Sequence, residues 1–299
     1  SMRYTKSPMD LPNQVQVLKD RGLLIEDEQQ ALDKLSFISY YRLANYWRPM
    51  ESDKETHQFK PGSRFSDIIK LYDFDLSLRT LIFTAIQNIE IAFRSKIIHC
   101  FSLKYGSFWF MDSTLFKNPS IYARCLNSLD EEIHRTKEEF IINHLAKYSE
   151  PIYPPVWKTL EVASFGTLSK MFSNFSDNSV KKDVARGLGL PQHVFLESWM
   201  TSIAVLRNCC AHHARTWNRT FTIKPQLPST LSGDWISDRS MPPYKIYPML
   251  CCIQYLLNTI GVGDEFNGKL KELIAQYPNV DVVAMGFPAT WKNEPLWQR

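Results

Sequence analysis

Glycine and proline are missing from one long stretch of this chain. No glycine occurs from Leu190 through Ser232 and no proline from Gln192 through Lys224, so neither residue is available there to end a helix. No apolar run reaches the ~18–20 residues that a membrane-spanning helix needs. The segments around Leu81 and Leu250 come nearest, and polar residues cut both, so no membrane association is expected. Neither sign of charge dominates: 35 Lys and Arg against 31 Asp and Glu leave a formal charge of +4. That balance permits an anionic partner without demanding one, and any nucleic-acid reading must rest on local clusters. Internal repeats and low-complexity tracts are absent, and few segments alternate with period two. The six cysteines fall as the adjacent pairs Cys209-Cys210 and Cys251-Cys252 and the singles Cys100 and Cys125. Adjacent helical cysteines rarely bond to each other and no signal-peptide pattern opens the sequence, so a reduced, cytoplasmic protein is expected. Ser1-Met2 reads as an expression remnant ahead of a native start.

What is present is the material of a folded helical protein. Across 299 residues the chain is 44% hydrophobic, 22% charged and 13% aromatic, enough for a sizeable core. Pro12–Arg21 and Asp27–Leu35 read as two short helices separated by Gly22, with Asp27 as an N-cap. An aromatic helical stretch follows from Ser36 to Trp47. A helix-turn-helix-like arrangement fits residues 1–65, which form an N-terminal helical region ending in a polar loop or small hairpin from Arg48 to Phe65. From Ser66 to Tyr105 the pattern predicts one long helix, closed by Gly106. Leu78, Leu81, Ile82, Ala85, Ile89, Ala92 and Phe93 recur on it at steps of three and four, and Glu90 and Arg94 are spaced for an ion pair. Ser120–Tyr148 is expected as one more long helix, with Glu131, Glu132, Glu138 and Glu139 on its solvated side. Beyond Pro151, Pro154 and Pro155 come shorter helices at Val156–Ala163, Thr167–Phe175 and Val180–Gly187. Another starts after Pro191, followed by Tyr244–Ile260 and Asp264–Gln276. The fold class is therefore all-α, with residues 66–299 read as one continuous helical domain.

The chemistry concentrates at residues 207–219, Arg-Asn-Cys-Cys-Ala-His-His-Ala-Arg-Thr-Trp-Asn-Arg. This segment follows the apolar run Val194–Leu206, so it occupies the last turns of a buried helix or lies just beyond it. At about 100° per residue, Leu196, Met200, Ile203, Arg207, Cys210 and Ala214 fall on one stripe. Arg207 thus sits in an apolar row, where an uncompensated charge would cost several kcal/mol. It calls for a carboxylate, a phosphate or a cavity open to a ligand. Asn208 and His212 share a polar flank with Thr201 and Arg215, and His213 lies opposite.

Each of these residues also has an ordinary structural role open to it. Arg207 could pair with Glu90 or Glu161, the cysteines could fill the core, and Arg215 and Arg219 could complement the helix dipole. Trp217 suits a core anchor. Cys209 and His213 could supply two zinc ligands, but a structural site takes four and no further ligand has finger-like spacing, so no metal is assigned. Cys210 and His212 point apart on a helix, which argues against a nucleophilic dyad. Metal-free RNA cleavage through the 2′-OH needs a base, an acid and positive charge on the phosphorane. Histidine suits the first two tasks and arginine the third, and none of the three requires a cofactor.

Arg207-Asn208-Cys209-Cys210-Ala211-His212 matches the Arg-x4-6-His motif of the HEPN superfamily. Together with Trp217-Asn218-Arg219 it resembles the bacterial Abi-like abortive-infection proteins of the AbiD/AbiF type. Tyr40-Tyr41-Arg42-Leu43 with Tyr46-Trp47, Leu71-Tyr72-Asp73-Phe74-Asp75, Ile89-Glu90 with Arg94, and Ser164-Phe165-Gly166-Thr167-Leu168-Ser169 carry the same resemblance, from about residue 20 to 220. It implies a multi-helix HEPN-like bundle with additional N-terminal helices, and a homodimer whose Arg–His motifs face one another across a cleft. It further implies a metal-independent endoribonuclease of phage defence or of a toxin–antitoxin system, with an antitoxin or phage trigger as a further partner. Arg207 and His212 then take the catalytic positions, with Asn208 beside them, and His213 also satisfies the looser spacing. Some members only bind RNA, a reading in which Arg215, Asn218 and Arg219 hold a substrate or small regulatory RNA. On an undistorted helix Arg207 and His212 are about 140° apart. Either the helix opens near His212, or each completes the other's site across a dimer.

Overall fold

The computed structural model describes residues 1–299. Twelve α-helices and several short 3-10 turns carry the chain, with no β-sheet and only isolated bridges. The chain forms two compact units, residues 1–78 with 273–280, and residues 79–272 with 281–299.

In the first unit, α1 (Leu11–Asp20) starts at Asp10, whose carboxylate accepts from the Asn13 N–H at 2.9 Å, and buries Val15 and Leu18. Gly22, at φ 90°, turns the chain out of it. Asp27 caps α2 (Glu28–Ile38) by accepting from the Gln30 N–H at 3.0 Å. The aromatic stretch is not continuous with α2. Ser39, at φ 82°, ends α2, and its hydroxyl then accepts from the Arg42 N–H to start α3 (Tyr40–Trp47). The polar segment after α3 is held as a loop by antiparallel pairing of Glu51 with Phe59 and by a bridge from Leu24 to Arg64. Buried Tyr46 and Trp47 anchor this unit. The Tyr46 hydroxyl donates to Asp75 Oδ2 at 2.6 Å, so Asp75, fully buried, has a neutral donor facing it.

The long helix α4 (Phe65–Tyr105) supplies residues to both units and stops where Gly106 takes φ 84°. In the second unit its Ile82, Ala85, Ile89 and Phe93 are buried, and Glu90 pairs with Arg94 at 3.0 Å. Arg94 also donates to the Ala163 carbonyl at 2.9 Å, so the pair fixes a loop as well as a helix.

The single helix expected over Ser120–Tyr148 is instead two, α5 (Pro119–Arg135) and α6 (Glu139–Lys147). The apolar stripe Cys125, Leu129 and Ile133 lapses through the polar run His134–Glu139. At Thr136 the backbone turns extended, and its hydroxyl accepts from the Glu138 N–H. That local bond competes with helix continuation. After it come α7 (Val156–Thr159), α8 (Phe165–Asn174) and α9 (Asn178–Gly187).

The central helix α10 (His193–Ala211) packs on α8, α9 and α11 (Ile246–Ile260), and α12 (Gly263–Gln276) follows. Leu196, Trp199, Met200, Ile203 and Leu206 of α10 are wholly buried, each worth about 1.5–3 kcal/mol of apolar transfer. On the same helix Glu197 pairs with Lys181 of α9, a lysine with no exposed surface whose ammonium also donates to the Ser173 carbonyl at 3.1 Å. Burial pulls the Lys181 ammonium below its usual range, and Glu197 opposes that shift. No helix is long and apolar enough to cross a membrane.

Candidate functional site

With no glycine or proline to stop it, α10 ends through hydrogen bonding alone. The His213 N–H bonds to the Cys210 carbonyl at 3.1 Å and the Ala214 N–H to the Cys209 carbonyl at 3.0 Å. This is the paired reversal that usually carries glycine in the left-handed position. Here His213 occupies it, at φ 58°, and a side chain in that conformation costs about 1–2 kcal/mol. The turn is held from outside as well. Arg79 of α4, 4% exposed, donates from a terminal guanidinium nitrogen to the Ala214 carbonyl at 3.2 Å. The Cys209 thiol points to the Arg215 carbonyl at 3.7 Å. No group of three His, Cys, Asp or Glu side chains clusters as a metal site would require.

Arg207 lies half-buried on the apolar stripe, between buried Ile203 and Cys210. Neither expected carboxylate meets it: Glu90 is engaged by Arg94, and Glu161 is exposed. Its guanidinium instead lies over the ring of Phe83, 5.6 Å from the centroid. A cation on an aromatic face gains about 0.5–2 kcal/mol without surrendering its charge. Arg207 therefore stands at the end of the helix on an aromatic ring, with no carboxylate against it.

Asn208 and His212 are exposed and one turn apart on one flank, and His213 is exposed beyond them. The helix stops before His212, yet the His212 N–H still closes a helical bond to the Asn208 carbonyl at 3.0 Å. The His212 backbone therefore stays on the helical path, about 140° around from Arg207.

The segment beyond the turn is largely inward-looking. Thr216 and Trp217 are buried, and the Trp217 indole donates to the Asp281 carbonyl at 3.1 Å, confirming it as a core anchor. Arg219 donates through Nε to the Arg215 carbonyl at 2.6 Å, leaving its terminal nitrogens uncommitted. Asn218 Oδ1 accepts from Lys245 at 2.9 Å, and Lys245 also reaches Thr220 at 3.2 Å. Burial and then the neighbouring Arg215 pull the Lys245 ammonium below its usual range. Arg215, Arg219 and Lys245 thus form a half-buried basic cluster, with Lys224 nearby over the Tyr244 ring at 5.5 Å.

Sequence reasoning missed Arg79, Phe83 and Lys245. Arg79 and Phe83 are one turn apart on α4, a spacing visible in the sequence. Their common target, however, is 120 residues and more downstream, and no local pattern reports it.

These features define an all-α protein that presents an Arg-x4-His segment at the end of a buried helix, beside a basic cluster. A family model described as Abi-like protein matches residues 33–218, more than half of the chain, and the chain belongs to that family. Membership supports abortive infection, a form of phage defence, as the general role. Among curated proteins and solved structures no match was found.

Proposed function

We propose that the chain is a metal-independent endoribonuclease of HEPN type that acts in abortive infection as a homodimer. The observation that carries this reading is Arg207: a half-buried cation with no carboxylate partner, supported on Phe83, on the helix that ends in exposed Asn208 and His212. In the proposed reaction a histidine takes the proton from an RNA 2′-OH, which attacks the adjacent phosphorus. A second histidine gives a proton to the departing 5′ oxygen, leaving a 2′,3′-cyclic phosphate. Arg207 stabilises the phosphorane's extra negative charge with a planar fork of donors. Because Arg207 and His212 diverge on their own helix, the two subunits supply them jointly, each His212 serving as acid or base. Asn208 orients the RNA beside them. An antitoxin or phage trigger would act by controlling access to this cleft.

The test is cleavage of labelled RNA by purified protein in EDTA. Wild type should cut, while Arg207→Ala and His212→Ala should lose about 100-fold or more of the rate. Equal behaviour of wild type and His212→Ala removes the catalytic assignment.

The basic cluster of Arg215, Arg219 and Lys245 favours a second reading, a non-catalytic module that binds RNA or a toxin–antitoxin partner. It predicts salt-sensitive RNA binding that survives His212→Ala and weakens on Arg215→Ala.

A further inference from the structure

Helices α5 and α8 enclose a cleft of about 190 Å³ lined by Ile121, Arg124, Cys125, Ser128, Thr167 and Lys170. Its polar lining consists of two cations, two hydroxyls and a thiol, and no carboxylate. Arg124 and Lys170 are exposed and neither makes an ion pair or hydrogen bond within the chain. They line one space from opposite helices, where a single anion can meet both charges. The field they create reaches the cleft floor. Burial raises the Cys125 thiol above its usual range, but Lys170 and then Arg124 both pull against that shift, and no acidic group contributes.

One of the two hydroxyls is held by a neighbour. The Ser164 hydroxyl gives its proton to Thr167 Oγ1 at 3.0 Å and accepts from the Thr167 N–H at 3.1 Å. Ser164 thereby holds the Thr167 side chain in place beside the cleft. Thr167 also lies in the first turn of α8, where the helix dipole favours negative charge. A guanidinium, an ammonium and two hydroxyls around a cleft without carboxylates suit a group that only accepts, with charge spread over several oxygens. The space exceeds the ~30 Å³ share of one water several-fold.

We infer that the cleft between α5 and α8 binds a phosphate group, with Arg124 and Lys170 as charge partners and Thr167 and Ser128 as hydroxyl donors. The group is a phosphomonoester or free phosphate, supplied by inorganic phosphate, a nucleotide or the 5′ end of an RNA. The site does not depend on the ribonuclease reading, since none of its residues belongs to the α10 motif.

The experiment is titration of the full-length chain with inorganic phosphate at constant ionic strength, read by calorimetry and by thermal shift. Adenosine 5′-monophosphate and one RNA oligonucleotide with and without a 5′-phosphate form parallel arms. Saturable binding is expected, weakened about tenfold by Arg124→Gln or by Lys170→Gln, the loss of one charge-assisted contact. Tightest binding by the nucleotide, or by the 5′-phosphorylated RNA over its unphosphorylated twin, identifies the source of the phosphate. Equal thermal shifts from phosphate and chloride, or undiminished binding by the double variant, overturn the site. Alkylation of Cys125 in the wild type gives a readout that needs no variant. Phosphate should slow it while leaving Cys100 unchanged, and an unprotected Cys125 counts against the site.

Discussion

The Arg207 guanidinium rests on the ring of Phe83, 5.6 Å from its centroid. One turn earlier on the same helix, Arg79 holds the Ala214 carbonyl at 3.2 Å. Two residues of α4 thus fix both ends of the segment that carries the proposed chemistry, one under the arginine and one behind the histidines.

Phe83→Leu should keep the apolar volume and remove the aromatic face. If the ring positions Arg207, RNA cleavage should fall about 3–30-fold, with Phe83→Tyr near wild type and the melting temperature little changed. An equal loss in the leucine and tyrosine variants would indicate a packing effect instead.

A shared site makes a distinctive statement about mixtures. When wild type is exchanged with increasing proportions of His212→Ala, activity should follow the square of the wild-type fraction, because both subunits contribute a histidine. A linear decline would mean that each subunit works alone.

His213→Gly separates the two histidines. Glycine relieves the left-handed strain at φ 58°, so unfolding in urea should show a gain of about 1 kcal/mol. Cleavage that persists in this variant and vanishes in His212→Ala assigns the chemistry to His212; the reverse pattern assigns it to His213.

Glu197→Gln should destabilise the fold by about 3–5 kcal/mol, because it leaves the buried Lys181 ammonium without its counter-charge. Lys181→Met combined with Glu197→Leu should recover much of that loss. Urea midpoints for the single and double variants provide the check.

Asp177 gives a pH signature. Lys104 and Tyr105 donate to its carboxylate and hold it down at about 2, below the ~3.9 of an unfolded chain. Its folded value is depressed, so its contribution is full above the unfolded value and fades as pH falls through the folded one. Asp177→Asn should therefore be less stable than wild type at pH 7, with the gap closing between about pH 4 and pH 2.

Much of the helical architecture was legible because it is written in short-range terms. The caps at Asp27 and Gly106, the Glu90–Arg94 pair and the ends of α9 at Gly187 and α11 at Ile260 follow from residues a few positions apart. The continuous helix expected over Ser120–Tyr148 failed for a reason equally local, a polar run in which Thr136 offers the backbone a different partner. The chain by itself thus determined an all-helical protein, the burial of α10 and the placing of Arg207, Asn208 and His212 at its end. Tertiary structure alone decided that Arg207 meets Phe83 rather than Glu90 or Glu161. It also decided that Arg79 grips the turn and that Lys245 claims Asn218. These contacts join residues far apart in the chain. They are set by which helix faces pack together, a choice made by the whole core at once, which no local spacing encodes.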